Sequence, residues 1–423
     1  MQFVTLTKEE FQRYATDHPL ETFHQTYEWG LLKEKYGWEI HLVGLKYQKN
    51  IVGASLLLSK NTPIKKKIFY APRGFLLDYH DASIVAEFTK QVKQYVKEHD
   101  GFLLKIDPYV IYQKRTSEGD VIDPSARDEE SIRLLKENGY RHFGFNLGME
   151  TMQPRWVYRL SLDQPYEKLK ATFIKSTRKN LEDVYKKGVQ VREGKKEDVA
   201  LFYQVLDDTS KRRGFLNRPL SYYEAMYDLL QDYVHIYIAY LDPKQMLLQA
   251  KKQLKDEQSE LEVIHQRMEV EKVGKGLLNK EKLAEQRIEK YKKEIEKATK
   301  MKKEHPEPIV VGGMLSVRSG NEYITLLSGI DNDYRSFIPK YAMYDQSIKD
   351  AYQMGLKHVN FYGITGNFTD ESQDVFGVYE VKRGFNGNVL ELIGEFDLVI
   401  QPFFYHLYQI SFGLYTKIKE LKK

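Results

Sequence analysis

The stretch that decides the fold is Lys244 to Glu304, KQMLLQAKKQLKDEQSELEVIHQRMEVEKVGKGLLNKEKLAEQRIEKYKKEIEKATKMKKE. Leu247, Leu254, Leu261 and Met268 recur at the heptad interval, and Ile288 with Ile295 and Ala284-Tyr291-Ala298 repeat it after Gly274-Lys275-Gly276. Apolar heptads on both sides of a glycine break predict an antiparallel coiled-coil helical hairpin. The segment from Glu271 to Gly276 reads as its turn.

Outside the hairpin the globular pattern resumes. His235-Ile-Tyr-Ile-Ala-Tyr240 before it and Ile309-Val-Val-Gly-Gly-Met-Leu-Ser316 after it read as neighbouring strands of one sheet, so the hairpin projects from a strand-to-strand loop. In the N-terminal half, Thr7-Lys-Glu-Glu10 reads as a capping box and Glu28 to Tyr36 as a second helix. Strands at 41–46, 51–58 and 68–71, a helix from Asp81 to Glu98 and a strand from Phe102 to Ile106 follow. From about Lys196 onward the order helix, hairpin, strand, helix, strand returns, ending on His358-Val-Asn-Phe-Tyr-Gly363. The expected fold class is α+β, with two similar subdomains side by side and a cleft where they meet. The boundaries expected are 1–150 for the first subdomain, 151–243 with 305–400 for the second, 244–304 for the hairpin and 401–423 for a C-terminal helix.

At 423 residues the chain can bury more than one core. The absence of cysteine excludes a disulfide framework, a thiolate nucleophile and cysteine-based metal sites. With no basic-then-apolar leader and no long apolar run, the expectation is a cytosolic chain. Residues 244–304 carry 17 Lys and Arg against 12 Asp and Glu, an excess equal to the whole chain's +5, so the remainder is neutral.

A denser basic run lies between the halves: Lys168, Lys170, Lys175, Arg178, Lys179, Lys186, Lys187, Arg192, Lys195 and Lys196. Few acids interrupt it, which suits a phosphate backbone better than an ordinary solvated helix. Near the C-terminus, Phe403, Phe404, Tyr405, Leu407, Tyr408, Ile410, Phe412, Leu414 and Tyr415 precede Lys417, Lys419, Lys422 and Lys423. Such a helix can make peripheral contact with an anionic inner membrane leaflet or dock on its own domain. Phosphate-loop, metalloprotease and serine-hydrolase motifs are missing, and the eleven histidines have no ligand-like spacing.

Several short segments, in order, resemble the FemABX peptidoglycan aminoacyltransferases, within them the FemX and MurM/MurN type. They are Gln25-Thr-Tyr-Glu-Trp29-Gly-Leu-Leu-Lys33 with Trp38, Tyr70-Ala-Pro-Arg73-Gly74 with Asp78-Tyr79, Ile106-Asp107-Pro108, Gln153-Pro154-Arg155, and Asn217-Arg218-Pro219 with Tyr222. Phe361-Tyr-Gly-Ile-Thr365, Tyr379-Glu-Val-Lys382-Arg-Gly-Phe385 and Ile393-Gly-Glu-Phe-Asp397 complete the set. The resemblance covers essentially the whole chain.

It implies two GNAT-like subdomains and transfer of an aminoacyl group from an aminoacyl-tRNA to an amine of a peptidoglycan precursor. The acceptor would be lipid II or UDP-MurNAc-pentapeptide, extended at the stem-peptide lysine side chain or at the first cross-bridge residue. No cofactor or metal is implied, because the tRNA ester is already activated. Lys33, Arg218 and Tyr222 match positions that bind the nucleotide or diphosphate end of the precursor, with Arg73 added as substrate-binding. Lys382 matches a lysine placed at the reacting carbonyl, although Val381 stands where relatives have Phe. Asp107 matches an aspartate proposed as base; equally, an Asp before Pro can cap the next turn. For tRNA the candidates are Lys175, Arg178, Lys179, Lys186 and Lys187, with the hairpin. The alternatives are an acyl-CoA-dependent GNAT N-acetyltransferase, which lacks its pyrophosphate loop here, and a non-catalytic RNA-binding coiled-coil scaffold.

Overall fold

The computed structural model describes residues 1–148, 152–270, 273–372 and 375–421, with backbone only for 412–421. Two mixed eight-stranded sheets form the body. The first runs Gln2–Thr5, Glu39–Tyr47, Asn50–Asn61, Lys67–Ala71, Gly101–Ile106, Phe396–Val399 and Tyr140–His142, with Leu76–Leu77 pairing off Asn50–Asn61. The second runs Val189–Gly194, Val234–Leu241, Ile309–Ser319, Glu322–Ile330, His358–Gly363, Trp156–Ser161, Asn388–Leu392 and Ile111–Arg115.

Strand directions match position by position. In each sheet three antiparallel pairings lead to one parallel pair, Lys67–Ala71 with Gly101–Ile106 and Glu322–Ile330 with His358–Gly363, and antiparallel pairing then resumes. Each parallel pair is bridged by a helix, Ala82–Glu98 and Pro339–Gln353, as a parallel connection requires. Two strands cross between halves: Ile111–Arg115 pairs with Asn388–Leu392 in the second sheet, and Phe396–Val399 with Gly101–Ile106 in the first. A chain cut at 150 therefore separates segments but not sheets.

The capping box forms as expected, with reciprocal Thr7 and Glu10 hydrogen bonds of 3.0 and 3.2 Å. One hydrophobic core serves each sheet, and a third is shared, packing Phe11, Trp29 and Leu56 of the first half on Phe202, Tyr222 and Leu315 of the second. The halves are thus fused through apolar burial rather than tethered.

Strands Val234–Leu241 and Ile309–Ser319 pair as read, with helices Pro243–Val270 and Lys275–Glu304 between them. Ala250 and Ile264 on one helix and Ala284 and Ala298 on the other are buried. His265 lies 2.9 Å from Glu281 and Arg287 3.5 Å from Glu257, so partners ascend on one helix as they descend on the other and the packing is antiparallel. Ala250, Glu257 and Ile264 interleave with Leu247, Leu254, Leu261 and Met268 to complete the seam, and Glu257 hides the second heptad row from a purely apolar reading. Of the expected turn, Glu271 and Lys272 lie outside the described residues, as do Lys422 and Lys423 at the chain end.

Candidate active site

Lys33 belongs to the helix Tyr27–Glu34, whose start is set by Thr26 accepting from the Trp29 amide at 3.2 Å. Buried Gln25, just before it, accepts from the Leu56 amide (2.7 Å) and donates to the Pro72 carbonyl (2.9 Å). That amide ties the helix to the strand end from which Arg73 emerges. Along the helix, Trp29 and Lys33 are one turn apart, and the Lys33 ammonium stands 4.1 Å above the Trp29 ring. Trp29 is at once a core residue and the platform for Lys33.

Tyr222 comes from the other half, on the helix Leu220–Leu229, and Lys33 Nζ donates to its hydroxyl at 3.1 Å. The loop before that helix is organised by Asn217, whose carbonyl oxygen accepts from the Arg218 amide (2.9 Å) and the Tyr223 hydroxyl (2.7 Å). The exposed Arg218 guanidinium then lies 5.6 Å from the Tyr222 ring centre. Burial, reinforced by Arg218, brings the Lys33 ammonium down to about 7. Burial also pushes the Tyr222 phenol up, so it remains a neutral donor. Lys33, Arg218 and Tyr222 form a cationic cluster built from both halves, suited to an anionic ligand.

Arg73 and Asp107 lie where the parallel strands of the first sheet end at their carboxyl termini, the position at which open α/β sheets place ligands. Arg73 has φ 60° and Gly74 φ 78°; a Cβ on Gly74 would sit 2.6 Å from the Tyr79 hydroxyl, so the turn needs glycine there. The Arg73 guanidinium donates to the Pro154 carbonyl at 3.1 Å and faces the Tyr109 ring at 5.3 Å. Asp107 spends both carboxylate oxygens within the fold, accepting from the Arg73 amide (2.6 Å) and the Tyr70 hydroxyl (2.7 Å). Burial pushes its carboxyl up to about 7 against the opposing pull of Arg73 and these hydrogen bonds. The arrangement is that of a brace: Asp107 reaches across to the neighbouring strand end and holds a left-handed Arg73 rather than the turn that follows Pro108.

Lys382 is on the helix Phe376–Arg383, 5 % exposed, with Nζ donating to the Gly363 carbonyl at 2.7 Å. Burial first, and Lys340 second, hold it well below the ordinary lysine range. Lys340, half-buried, is itself lowered to about 8 by desolvation and then by the charge of Arg213. The residue that joins the parts is Tyr362, to which sequence reasoning assigned no role. It is the penultimate residue of the strand His358–Gly363, at φ 63°, packs into the cluster that contains Tyr222, faces Arg73 at 5.9 Å and donates to Gln153. Its successor, Gly363, supplies the carbonyl that holds Lys382. The motif Phe361-Tyr-Gly was visible in the chain, but nothing in it announces a left-handed tyrosine.

The basic run is divided by the structure. Lys175, Lys179, Lys186 and Lys187 are exposed on or just after the helix Lys175–Lys186, whereas Arg178 turns inward to the Ala171 (2.5 Å) and Phe173 (2.9 Å) carbonyls. Arg178 thus caps the preceding helix. At the start of the basic helix, the Ile174 amide donates to the Gly384 carbonyl at 3.1 Å, which brings Lys175 beside the end of the Lys382 helix. At its far end Lys186 and Lys187 share a cleft with Met246 and Lys297 of the hairpin base, and Lys187 donates to the Ser336 carbonyl at 2.7 Å.

A family model described as the FemAB family matches residues 6–411. Aminoacyltransferase FemA of Staphylococcus epidermidis is 30% identical over 434 residues, covering 100% of both chains. Aminoacyltransferase FemA of Staphylococcus aureus is 29% identical over 430 residues, covering 100% of this chain and 99% of that one. Among solved structures, the crystal structure of FemX superposes with a TM-score of 0.82 at 26% identity, covering 96% of this chain and 99% of that one.

Proposed function

This chain belongs to the FemAB family, and we propose that it is a tRNA-dependent N-aminoacyltransferase that adds an amino acid to a peptidoglycan precursor. The acceptor amine is that of the stem-peptide lysine or of the first cross-bridge residue, on lipid II or UDP-MurNAc-pentapeptide, and the enzyme works in the cytoplasm. The observation that carries this reading is the 3.1 Å contact between Lys33 and Tyr222, which joins the two halves beside Arg218 in one cationic cluster.

Lys33 and Arg218 would hold the diphosphate, the guanidinium supplying paired donors and the ammonium a compact charge. Arg73, fixed in its left-handed conformation by Asp107, would orient the precursor beyond the diphosphate. The exposed Lys175, Lys179, Lys186 and Lys187, continuing into Lys297 at the hairpin base, would follow the tRNA phosphates towards Lys382. Arg178 is left out of this surface because its guanidinium is committed to Ala171 and Phe173.

In the reaction the acceptor nitrogen bonds to the ester carbonyl carbon, and an oxyanion forms. The bond to the tRNA ribose oxygen then breaks. Burial favours the neutral amine of Lys382, which can take the proton that the attacking nitrogen sheds. The ammonium so formed faces the oxyanion and returns the proton to the departing ribose oxygen. Incubation of the enzyme with a panel of charged tRNAs and either acceptor, read by mass spectrometry, should give product heavier by one amino-acid residue; no mass gain with any tRNA would overturn the assignment.

A further inference from the structure

We propose that the exposed side of the first turns of the helix Pro402–Leu421, with Phe143 beside it, docks on an anionic lipid bilayer surface. The helix is seated by one side only. Tyr405 is buried, and Phe404 and Tyr408 pack with it on Phe102 and Leu103. The Phe102 and Tyr408 rings are 5.4 Å apart, and Gln401 donates to the Gly101 carbonyl at 2.8 Å. On the other side Phe403 is 69 % exposed, Leu407 38 % and Ile410 62 %, at the i, i+4, i+7 spacing of a single helix face.

Further apolar side chains lie near it. Phe143, Phe145 and Leu147 are each about half exposed, and the left-handed Gly144 (φ 82°) separates Phe143, beside Arg141, from Phe145, which packs on His142. Lys105 ties Phe143 to the helix: its ammonium sits 4.8 Å from the Phe143 ring centre and pairs at 2.6 Å with Asp397, which accepts the Tyr405 hydroxyl at 3.2 Å. Phe143 therefore adjoins the seated side of the helix, next to its exposed apolar stripe.

Charge selects the occupant. Arg141 stands over the Phe143 ring at 5.8 Å and Lys66 over the Phe404 ring at 5.4 Å. Residues 402–423 hold Lys417, Lys419, Lys422 and Lys423 against one acid, Glu420. Exposed aromatic and aliphatic side chains edged by cations match the headgroup region of an anionic bilayer, where rings settle and lysines meet lipid phosphates. A second copy of the same surface would set these cations against each other. Among the described residues no helix is long and apolar enough to cross a membrane, so the helix would lie in the interface plane.

The segment that follows Phe143 leads to the site. Phe145 stacks on Arg155 at 4.5 Å, and Arg155 lines a cleft with Arg73, Asp107 and Asn146. Docking would therefore present this end of the cleft to an acceptor anchored in the bilayer; that consequence rests on the proposed function, whereas docking itself does not.

The test is sedimentation of the full chain with vesicles of phosphatidylglycerol and phosphatidylcholine in equal parts, and with phosphatidylcholine alone. Binding is expected to the mixed vesicles only, to weaken as salt rises, and to fall at least about tenfold in the triple variant Phe403→Ser, Leu407→Ser, Ile410→Ser. The thermal midpoint of that variant and its turnover of the nucleotide-linked acceptor should match those of the parent chain. No binding, equal binding to both vesicles, or unchanged binding by the triple variant would overturn the proposal. So would a dimer, seen by light scattering, that the triple variant loses while vesicles recover neither protein. If vesicles bind and no acceptor is extended, the functional reading fails and the docking face stands.

Discussion

The two sheets carry the same succession of strand directions, and they differ most between their second and third strands. In the first sheet Glu39–Tyr47 and Asn50–Asn61 are joined by Gln48 and Lys49, with Gln48 at φ 55°. In the second the corresponding strands enclose two helices of 28 and 30 residues. A duplicated scaffold thus has one copy with a tight turn and one with a long projecting arm, and the loads on the two copies differ accordingly. Lys33, Arg73 and Asp107 come from the first half, while Arg218, Tyr222, Lys382, the basic helix and the arm come from the second. In the proposed reaction the junction holds the acceptor, and the donor belongs to the second half alone.

The sharpest way to break that division is at Lys382. Lys382→Met should lower kcat by about a thousandfold, the scale of removing an electrostatic and proton-transfer group from a buried site, with the Michaelis constant for acceptor nearly unchanged. Steady-state kinetics with acceptor varied at saturating charged tRNA would check it; a raised Michaelis constant with kcat intact would put Lys382 on the acceptor side.

A second variant makes the second half imitate the first. Joining Leu241 to Ile309 through a two-residue Gln-Lys turn removes the arm and keeps the pairing of the flanking strands. The fold and acceptor binding should survive, by circular dichroism and calorimetry, while kcat/KM for charged tRNA falls about a hundredfold and loses part of its salt dependence. Unchanged kcat/KM would remove the arm from the donor site.

Much of this comparison is legible in the chain because it rests on local patterns. The heptads, the capping box and the long strands are written in neighbouring residues, and each appears within a few residues of its expected place. What escapes is non-local. Phe396–Val399 has four residues and Tyr140–His142 three, too short for periodicity, and the pairing of Phe396–Val399 with Gly101–Ile106 on one side and Tyr140–His142 on the other is decided by a sheet assembled from distant segments. In the site, the resemblance pointed to Lys33, Arg218 and Tyr222, and the structure joins them. Tyr362 escaped because its role comes from a left-handed backbone that no residue type in Phe361-Tyr-Gly declares. Arg178 looked like its basic neighbours because a guanidinium turned back onto two carbonyls is invisible in composition.

Across the junction, Arg218→Ala removes a charged donor from the proposed diphosphate site and should raise the Michaelis constant for acceptor about thirtyfold, corresponding to roughly 2 kcal/mol for a charge-assisted hydrogen bond. kcat should stay within about threefold, since the guanidinium contributes equally to ground and transition states. Calorimetric titration with UDP-MurNAc-pentapeptide checks the binding directly. A loss confined to kcat would move Arg218 from the acceptor to the chemistry.

The smallest expected effect is the most specific to a site shared by two halves. Lys33 sits near 7 because its own half buries it against Trp29 and the other half brings Arg218 beside it. A bound diphosphate diester, ionised throughout this range, favours the ammonium and returns Lys33 towards about 10. The free-state value lies below the bound-state value, so affinity is complete below pH 7 and declines as pH rises through it. Between pH 6 and 8 the dissociation constant should rise about tenfold, with uptake of about 0.9 proton on binding at pH 8, read by calorimetry in buffers of different ionisation enthalpy. In Arg218→Ala the repelling cation is gone, so the inflection should move upward; in Lys33→Met it should vanish. An inflection that stays near 7 in Lys33→Met would belong to another group, and the coupling between the halves would have to be sought elsewhere than in the Lys33, Tyr222 and Arg218 cluster.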